Sequence, residues 1–178
     1  MTSDLITVER YDALPDPPGG RYELRHGVPV KVSFATLEHW EIQQRLTDLL
    51  KALAGGRGRV GPEFAFRPLP EYELWGADVA FVLQARYDAT APGDYLHGAP
   101  ELVIEVLSPS NTVSETSERE AMCLENGCLE FWVVDPRRKT VKVSTPDRKT
   151  TTYVEHDTIS LSVPATGQLL VSRIFSKE

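Results

Sequence analysis

The chain has 178 residues and a mass of 19.9 kDa, which is enough for one domain around a single core. With 41% hydrophobic and 25% charged residues, its composition is that of a globular protein and excludes disordered, collagen-like and coiled-coil chains. The formal net charge of −7 means that the molecule as a whole repels nucleic acid, so any DNA binding needs a local basic surface. We therefore expect a single domain over residues 1–178, with residues 1–20 as an N-terminal lead.

Several features of the sequence bear on where the protein works. No apolar run approaches the roughly 20 residues that a membrane span needs. The N-terminus has acidic residues and prolines where a signal peptide has a basic end and an apolar stretch. Cys123 and Cys128 are five positions apart, which fits neither a zinc-ligand pair nor a redox pair. We therefore expect a cytoplasmic protein without membrane contact, whose two cysteines are free thiols with no catalytic role.

The first elements in chain order are a hairpin and a helix. Residues 22–32 alternate around the turn sequence RHG at 25–27, a pattern typical of a β-hairpin with glycine in its turn. Over residues 37–54 the apolar positions recur at helical spacing. Thr36 is the expected N-cap of this helix, and Gly55 marks its expected end.

Strands dominate the rest of the chain. Three apolar strands are predicted around EFAFRPL, ADVAFVL and ELVIEVLS, and the continuous apolar run in the third indicates burial on both faces. A second helix is predicted from about Glu115 to Asn126, opened by Ser114 or Ser117 and closed by Gly127. A buried strand EFWVVD and an edge hairpin of TVKVST and TTYVEH follow, before a short tail that ends at residues 174–175. This order predicts an α/β or α+β fold, with a mixed β-sheet flanked by helices.

Two acidic residues stand out because they interrupt apolar strands. Asp78 lies in the strand ADVAFVL and Glu105 lies in ELVIEVLS. A buried carboxylate without a partner is costly, so such an acid has an arginine or a metal ion beside it. Either acid alone is better explained by a solvent-facing or arginine-paired strand residue. If the two strands are adjacent, both carboxylates can reach one Mg²⁺, with the backbone carbonyl of Val106 as a third oxygen ligand.

Four segments of the chain carry a resemblance to a known family. They are ERYDALPDPPGGRYELRHG (9–27), GADVAFV (76–82), PELVIEVLSPSN (100–111) and GCLEFWVVDP (127–136). Together they resemble the Uma-two family of restriction-endonuclease-like proteins, a branch of the PD-(D/E)XK nuclease superfamily. The resemblance implies a restriction-endonuclease-like core and a metal-dependent phosphodiester hydrolase site.

The resemblance also implies roles for individual residues. Asp78 matches the acid of the family's Pro-Asp-Val motif, although Ala77 replaces the proline, and Glu105 matches the acid of Glu-Val-Leu-Ser. The superfamily places a lysine two residues after that glutamate, where Leu107 stands here. The family moves this lysine onto the following helix, and the matching position is Arg119. An arginine can stabilise developing negative charge but is a poor general base. Arg119 has an equally weighted alternative as a surface residue paired with neighbouring glutamates.

Glu23 and His39 also match family positions. Glu23 could reach the metal from the hairpin, or it could be a hairpin acid with a surface partner. His39 could contact a phosphate or water, although a satisfied histidine at a helix end is the commoner case. The basic segment 137–149, with six bases against two acids when residues 135–150 are counted, is the expected grip on a nucleic-acid backbone if it is not simply a solvated hairpin loop.

The resulting hypothesis is an endonuclease that uses Mg²⁺ or Mn²⁺ to hydrolyse double-stranded DNA and acts as a homodimer. A second hypothesis is a catalytically silent member of the same fold that acts as a binding or regulatory module. The acidic charge and the departures at Leu107 and Arg119 favour it. A third is a nuclease for RNA or single strands, for which Trp75, Tyr72 and Tyr95 would be the main stacking surface.

Overall fold

A computed structural model describes residues 5–15, 20–109 and 111–176 of the chain. Its strands are β1 (Gly20–Arg25), β2 (Val28–Ser33), β3 (Gly58–Arg67), β4 (Trp75–Leu83), β5 (Leu96–His97), β6 (Leu102–Val106), β7 (Glu130–Asp135), β8 (Thr140–Ser144), β9 (Thr150–Tyr153), β10 (Thr158–Leu161) and β11 (Gly167–Leu170). Its helices are α1 (Val8–Tyr11), α2 (Leu37–Ala54), α3 (Gln84–Ala89), α4 (Val113–Glu125) and α5 (Ser172–Phe175). Expectations for residues 1–4 and 16–19 of the N-terminal lead lie outside the described residues.

Seven strands form the central sheet, in the order β5-β3-β4-β6-β7-β8-β9. β6 occupies the middle, pairing antiparallel with β4 and parallel with β7. Helix α4 supplies the crossover between the two parallel strands, as such a connection requires. The mixed sheet flanked by helices confirms the predicted fold class. The predicted edge hairpin is also present, as β8 and β9.

The hydrogen-bonded ladder between β4 and β6 is short, and its early end opens the sheet between these two strands. It pairs residues 79–81 with residues 102–104 and then stops. Continuing the register by one position would place Asp78 opposite Glu105. The two central strands therefore separate where their acidic residues begin, and they leave a fork in the sheet.

Helix α2 has the predicted boundaries because both of its ends are encoded locally. The Thr36 side chain accepts a hydrogen bond from the backbone amide of His39, and Gly55 takes the left-handed conformation with φ 55°. The buried face of the helix, which includes Ile42, Leu46 and Leu50, joins the larger of the two main clusters of buried apolar side chains. Helix α2 is thereby fixed against the sheet.

Helix α4 begins earlier than predicted. Its N-cap is Thr112, which forms a capping box with Glu115, so Ser114 and Ser117 lie inside the helix rather than at its start. The predicted end is confirmed, because Gly127 follows the helix with φ 114°. The inward face of α4 carries Cys123 and Arg119, both buried.

The hairpin of β1 and β2 is confirmed, with its turn at His26 (φ 50°) and Gly27 (φ 70°). It does not belong to the central sheet. Backbone hydrogen bonds of 2.9 Å in both directions between Leu24 and Leu74 attach it to the segment before β4. Val8 of α1 packs against the same pair, so part of the predicted lead is ordered.

Other elements were not predicted: α1, α3, β5, the small hairpin of β10 and β11, and α5. β3 begins at Gly58, five residues before the predicted strand. In the described parts of the chain, no helix combines the length and apolarity needed to cross a membrane. Cys123 and Cys128 are free and buried, and burial raises the pKa of Cys128 to about 12, which makes its thiol a poor nucleophile.

Two glycines of β3 offer a matched test of how tightly the sheet packs. A Cβ at Gly58 would overlap the Val82 carbonyl and approach a Phe81 ring carbon at 2.7 Å, whereas a Cβ at Gly61 would meet nothing within 4 Å. We expect Gly58→Ala to lower the free energy of unfolding by about 1–3 kcal/mol. Gly61→Ala should leave it within about 1 kcal/mol of wild type. Urea denaturation followed by circular dichroism measures both, and equal effects would contradict the packing argument.

Candidate active site

A cavity of about 700 Å³ opens at the fork in the sheet, between the β1–β2 hairpin, α2 and α4. A second cavity, of about 510 Å³, lies between α4 and β8. All the predicted site residues line the first cavity: Glu23, His39, Asp78, Glu105, Val106 and Arg119. The fold thus brings together side chains from β1, α2, β4, β6 and α4.

Asp78 lies in the fork itself. Because the β4–β6 ladder has ended, the backbone amide of Val106 donates a 2.7 Å hydrogen bond to Oδ2 of Asp78 instead of to a strand carbonyl. A residue in an extended strand presents its N–H and C=O to the same side. The Val106 carbonyl therefore faces the same side of β6 as the amide that binds Asp78.

Two residues of α2 hold the other oxygen of this carboxylate. His39 Nε2 lies 3.0 Å from Asp78 Oδ1, and Gln43 Nε2 donates to the same oxygen at 3.1 Å. Burial opposes the charged form of His39, but the hydrogen bond and charge of Asp78 outweigh it and raise the pKa of His39. Gln43 also donates to Glu63 Oε1 at 2.7 Å. Gln43 and Glu63 were missed in the sequence, although the register of β3 places Glu63 opposite Asp78.

Arg119 is buried, with 7% of its surface exposed, so its interpretation as a surface residue is wrong. Its Nη1 donates to Glu23 Oε2 at 2.9 Å, while its Nη2 donates to Glu105 Oε1 at 2.9 Å and to the Gly76 carbonyl at 2.6 Å. The guanidinium also lies 5.0 Å from the centre of the Trp75 ring. Arg119 therefore joins the hairpin, β4 and β6 at a single point.

Glu23 is saturated by hydrogen-bond donors. Oε1 accepts from the Gly76 amide at 2.8 Å, and Oε2 accepts from Arg119 and Arg25, each at 2.9 Å. Burial raises the pKa of Glu23, but the two guanidinium groups and the Gly76 amide outweigh burial and lower it. The carboxylate stays ionised and is committed to holding Arg119. These contacts give Glu23 a positioning role beside the site.

Glu105 shares Arg119 with Glu23 but behaves differently. Burial is the main cause that raises its pKa, to about 8; Arg119 opposes the shift, and the charges of Asp78 and Glu23 add to it. Arg119 donates a hydrogen bond to Oε1 of Glu105, whereas Glu23 has three donor groups. Glu105 lines the cavity, which is the space that a cation would occupy.

The chemistry of these donors suits a hard divalent cation. Asp78 and Glu105 offer carboxylate oxygens and Val106 offers a carbonyl oxygen, which are the ligand types that Mg²⁺ prefers. Within residues 5–15, 20–109 and 111–176, no three side chains of His, Cys, Asp or Glu are grouped so as to hold a metal by themselves. Mg²⁺ is commonly held by one or two carboxylates and completes its shell with water and phosphate oxygens. The residues present therefore fit Mg²⁺ or Mn²⁺ with substrate, and do not resemble a structural zinc site.

The positive charges at the cavity come from an unexpected place. None of the bases of segment 137–149 is among the described residues that line it. Four of them are paired with acids: Arg138 with Asp135, Lys139 with Glu155, Lys142 with Glu120, and Lys149 with Asp147. The cavity instead receives Arg21, Arg25 and Lys31 from the β1–β2 hairpin. Strand alternation puts residues 21, 23 and 25 on one face, and this signal in the sequence could have found them.

Comparisons with known proteins identify the family and the fold. The family model named Uma2 and described as "Putative restriction endonuclease" matches residues 8–172. The chain belongs to the Uma2 family. Among solved structures, it is similar to a protein from Anabaena variabilis ATCC 29413 described as "a putative nuclease belonging to DUF820". The TM-score is 0.77 and the identity 20%, over 96% of this chain and 97% of the other. That likeness supports the fold. No curated protein matched the sequence.

The raised pKa of Glu105 predicts a pH effect on the metal-free protein. Between about pH 4.5 and pH 8 the folded state holds a proton that the unfolded state has released, so the stability contributed by this group falls as pH rises. Glu105→Gln removes this penalty. We expect the variant to be more stable than wild type at pH 8.5, by on the order of 1 kcal/mol, and to show a smaller difference at pH 5.

Thermal unfolding in EDTA at the two pH values measures this effect. Glu38→Gln, at an exposed glutamate in the first turn of α2, is the matched control and should show no such pH dependence. A Glu105→Gln protein less stable than wild type at pH 8.5 would show that the ion pair with Arg119 outweighs the burial of the carboxylate.

Proposed function

We propose that this Uma2-family protein is a metal-dependent endonuclease that hydrolyses phosphodiester bonds in DNA. The observation that carries the proposal is the meeting of Asp78 and Glu105 where the two central strands separate, at an open cavity. An acid pair placed there costs stability through mutual repulsion, which a bound cation relieves. Membership of a family described as restriction endonucleases supports the same activity.

Asp78, Glu105 and the Val106 carbonyl would hold Mg²⁺ or Mn²⁺. When bound, the cation would lower the pKa of an attacking water and polarise the scissile phosphate. The chain's own residues fix this arrangement: the Val106 amide, His39 and Gln43 orient Asp78, and Arg119 orients Glu105. The raised pKa of His39 favours its protonated form, whose positive charge would lie beside the cavity, close to the phosphate.

Arg119 carries the same positive charge as the lysine of related nucleases, but it cannot take over that lysine's part in proton transfer. An arginine remains protonated at all working pH values, so it does not act as general base. Its two terminal nitrogens already donate to Glu23, Glu105 and the Gly76 carbonyl. Arg119 therefore serves as a positioning residue that holds Glu105, and its positive charge stabilises the anionic phosphate at the site.

The contacts of Arg119 favour a second candidate function. Both of its terminal nitrogens are engaged by protein groups, so a nuclease-fold protein with this arginine could act as a binding or regulatory module without catalysis. Metal binding distinguishes the two, since a silent module has no need for an Asp78–Glu105 pair that accepts a cation. We also propose that the protein acts on duplex DNA as a homodimer, because a two-fold pair of sites can cut both strands. Its proposed location is the cytoplasm.

Titration calorimetry with Mn²⁺ and Mg²⁺, followed by plasmid nicking in the same buffer, tests the proposal. We expect wild type to bind the cation and nick the plasmid. Asp78→Ala and Glu105→Ala should lose both, with nicking reduced about a hundredfold or more. Asp88→Ala, in α3 away from the cavity, is the matched acidic control and should behave as wild type.

Three outcomes bear on the candidates. Absence of cation binding at millimolar concentrations would overturn the metal mechanism and support the silent module. Cation binding without nicking, in wild type and in Arg119→Lys alike, would overturn the nuclease. Cation binding with nicking only in Arg119→Lys would identify the missing lysine as the reason that wild type does not cut.

A further inference from the structure

Exposed aromatic side chains lie at the rim of the candidate site. Phe34 is 72% exposed and Trp40 is 52% exposed, and both line the cavity that contains Asp78 and Glu105. They flank the connection from β2 to the first turn of α2. Large aromatic rings left in water at a polar cavity indicate a partner that covers them.

This arrangement differs from the sequence-based expectation. Trp75 is 2% exposed and lies under Arg119, so it offers no stacking surface. Tyr72 and Tyr95 are half-buried and do not line the cavity. In the described parts of the chain, the exposed aromatic residues are Phe34, Trp40 and Tyr87, and Tyr87 is elsewhere, on α3.

We propose that Phe34 and Trp40 stack on unpaired nucleobases of the strand being cut, so that the preferred substrate is single-stranded DNA. This inference rests on the nuclease activity proposed above and replaces its duplex substrate with a single strand. Every base has a flat π-face that an aromatic side chain can cover regardless of sequence. Two rings at the edge of a phosphodiester site are therefore a sequence-tolerant grip on a single strand.

The positions of neighbouring groups support nucleic acid as the occupant. Trp40 lines the same cavity as His39, and His39 contacts Asp78, so a base stacked on Trp40 would lie at the rim of the cavity that holds the candidate phosphate position. The facing wall of the cavity is the hairpin, which contributes Arg21 and Lys31. Aromatic faces combined with cations along one groove are the combination that single-strand binding requires. Arg21 also pairs with Glu63. A purely apolar protein partner would gain nothing from the charged groups that line this cavity.

Base pairing explains why a single strand is preferred. In a duplex both faces of each base are already covered by neighbouring bases, so an inserted ring must first unstack a step. An unpaired strand has already met that cost. The exposed rings thus favour single strands because unstacking a DNA duplex costs free energy. They do not need base-specific hydrogen bonds to discriminate between the two substrates.

Intrinsic fluorescence tests the contact directly. Trp40 is the exposed one of the three tryptophans, since Trp75 and Trp132 are 2% and 0% exposed. We expect a short oligothymidylate, added to the full chain in EDTA to prevent cleavage, to quench the fluorescence of Trp40. The same oligonucleotide annealed to its complement should quench much less at equal concentration.

Variants then assign the effect to stacking. By anisotropy of the labelled oligonucleotide, Trp40→Leu and Phe34→Leu should each weaken binding about tenfold, and Trp40→Phe should retain most of it. Tyr87→Leu, at the exposed aromatic of α3, and Leu37→Ala, at a 72% exposed neighbour that does not line the cavity, are controls that should bind as wild type.

The outcomes keep this inference separate from the proposed function. Quenching that depends on Trp40 supports stacking even if Mn²⁺ then produces no cleavage, which would count against the nuclease alone. Cleavage of single and double strands at equal rates, unaffected by Trp40→Leu, would overturn stacking and leave the nuclease intact. A dimer in sedimentation that Leu37→Ala and Trp40→Leu both dissociate would also overturn it, since the patch would then bind a second copy.

Discussion

The position of the Arg119 side chain is the constraint on which the site depends. A guanidinium is taken out of water only where its charge is matched, and here Glu23, Glu105 and the Gly76 carbonyl accept hydrogen bonds from its two terminal nitrogens. Its buried Nε has no hydrogen-bond partner among the described residues. Because the three acceptors belong to the hairpin, β6 and β4, burying this one side chain fixes three elements relative to α4. The walls of the cavity are set by an ionic contact rather than by apolar packing alone.

The two glutamates bonded to Arg119 show how different surroundings shift the pKa values of identical groups in opposite directions. Glu23 is surrounded by donors and remains ionised, whereas Glu105 is buried beside other acids and its pKa is raised. The Glu23 carboxylate thereby holds Arg119 in place, whereas the ionised form of Glu105 is stabilised only if further positive charge is brought close to it. Together with Asp78 in the fork, this imbalance is what makes the site receptive to a cation, and it would be lost if the donors were shared equally.

Local signals explain which parts could be predicted from the sequence. Helix α2 was predicted to the residue because Thr36 and Gly55 encode its ends, and Asp78 and Glu105 were found because charges interrupt apolar strands. The start of α4 was missed because several hydroxyl residues compete for its N-cap within a short segment. The burial of Arg119 and the exposure of Trp40 depend on distant parts of the fold, which neither composition nor periodicity encodes.

The contacts between the hairpin and α4 have a consequence for how the protein is made. Glu23 and Arg119 are 96 residues apart, and the links from Arg25 to Glu115 and from His26 to Glu118 span 90 and 92 residues. At typical synthesis rates the hairpin emerges from the ribosome roughly 5–20 s before its partner helix. During that interval Glu23 lacks Arg119, the partner that buries its charge in the finished fold. Closing this long loop assembles the cavity, so the site forms late, only after most of the chain has been translated.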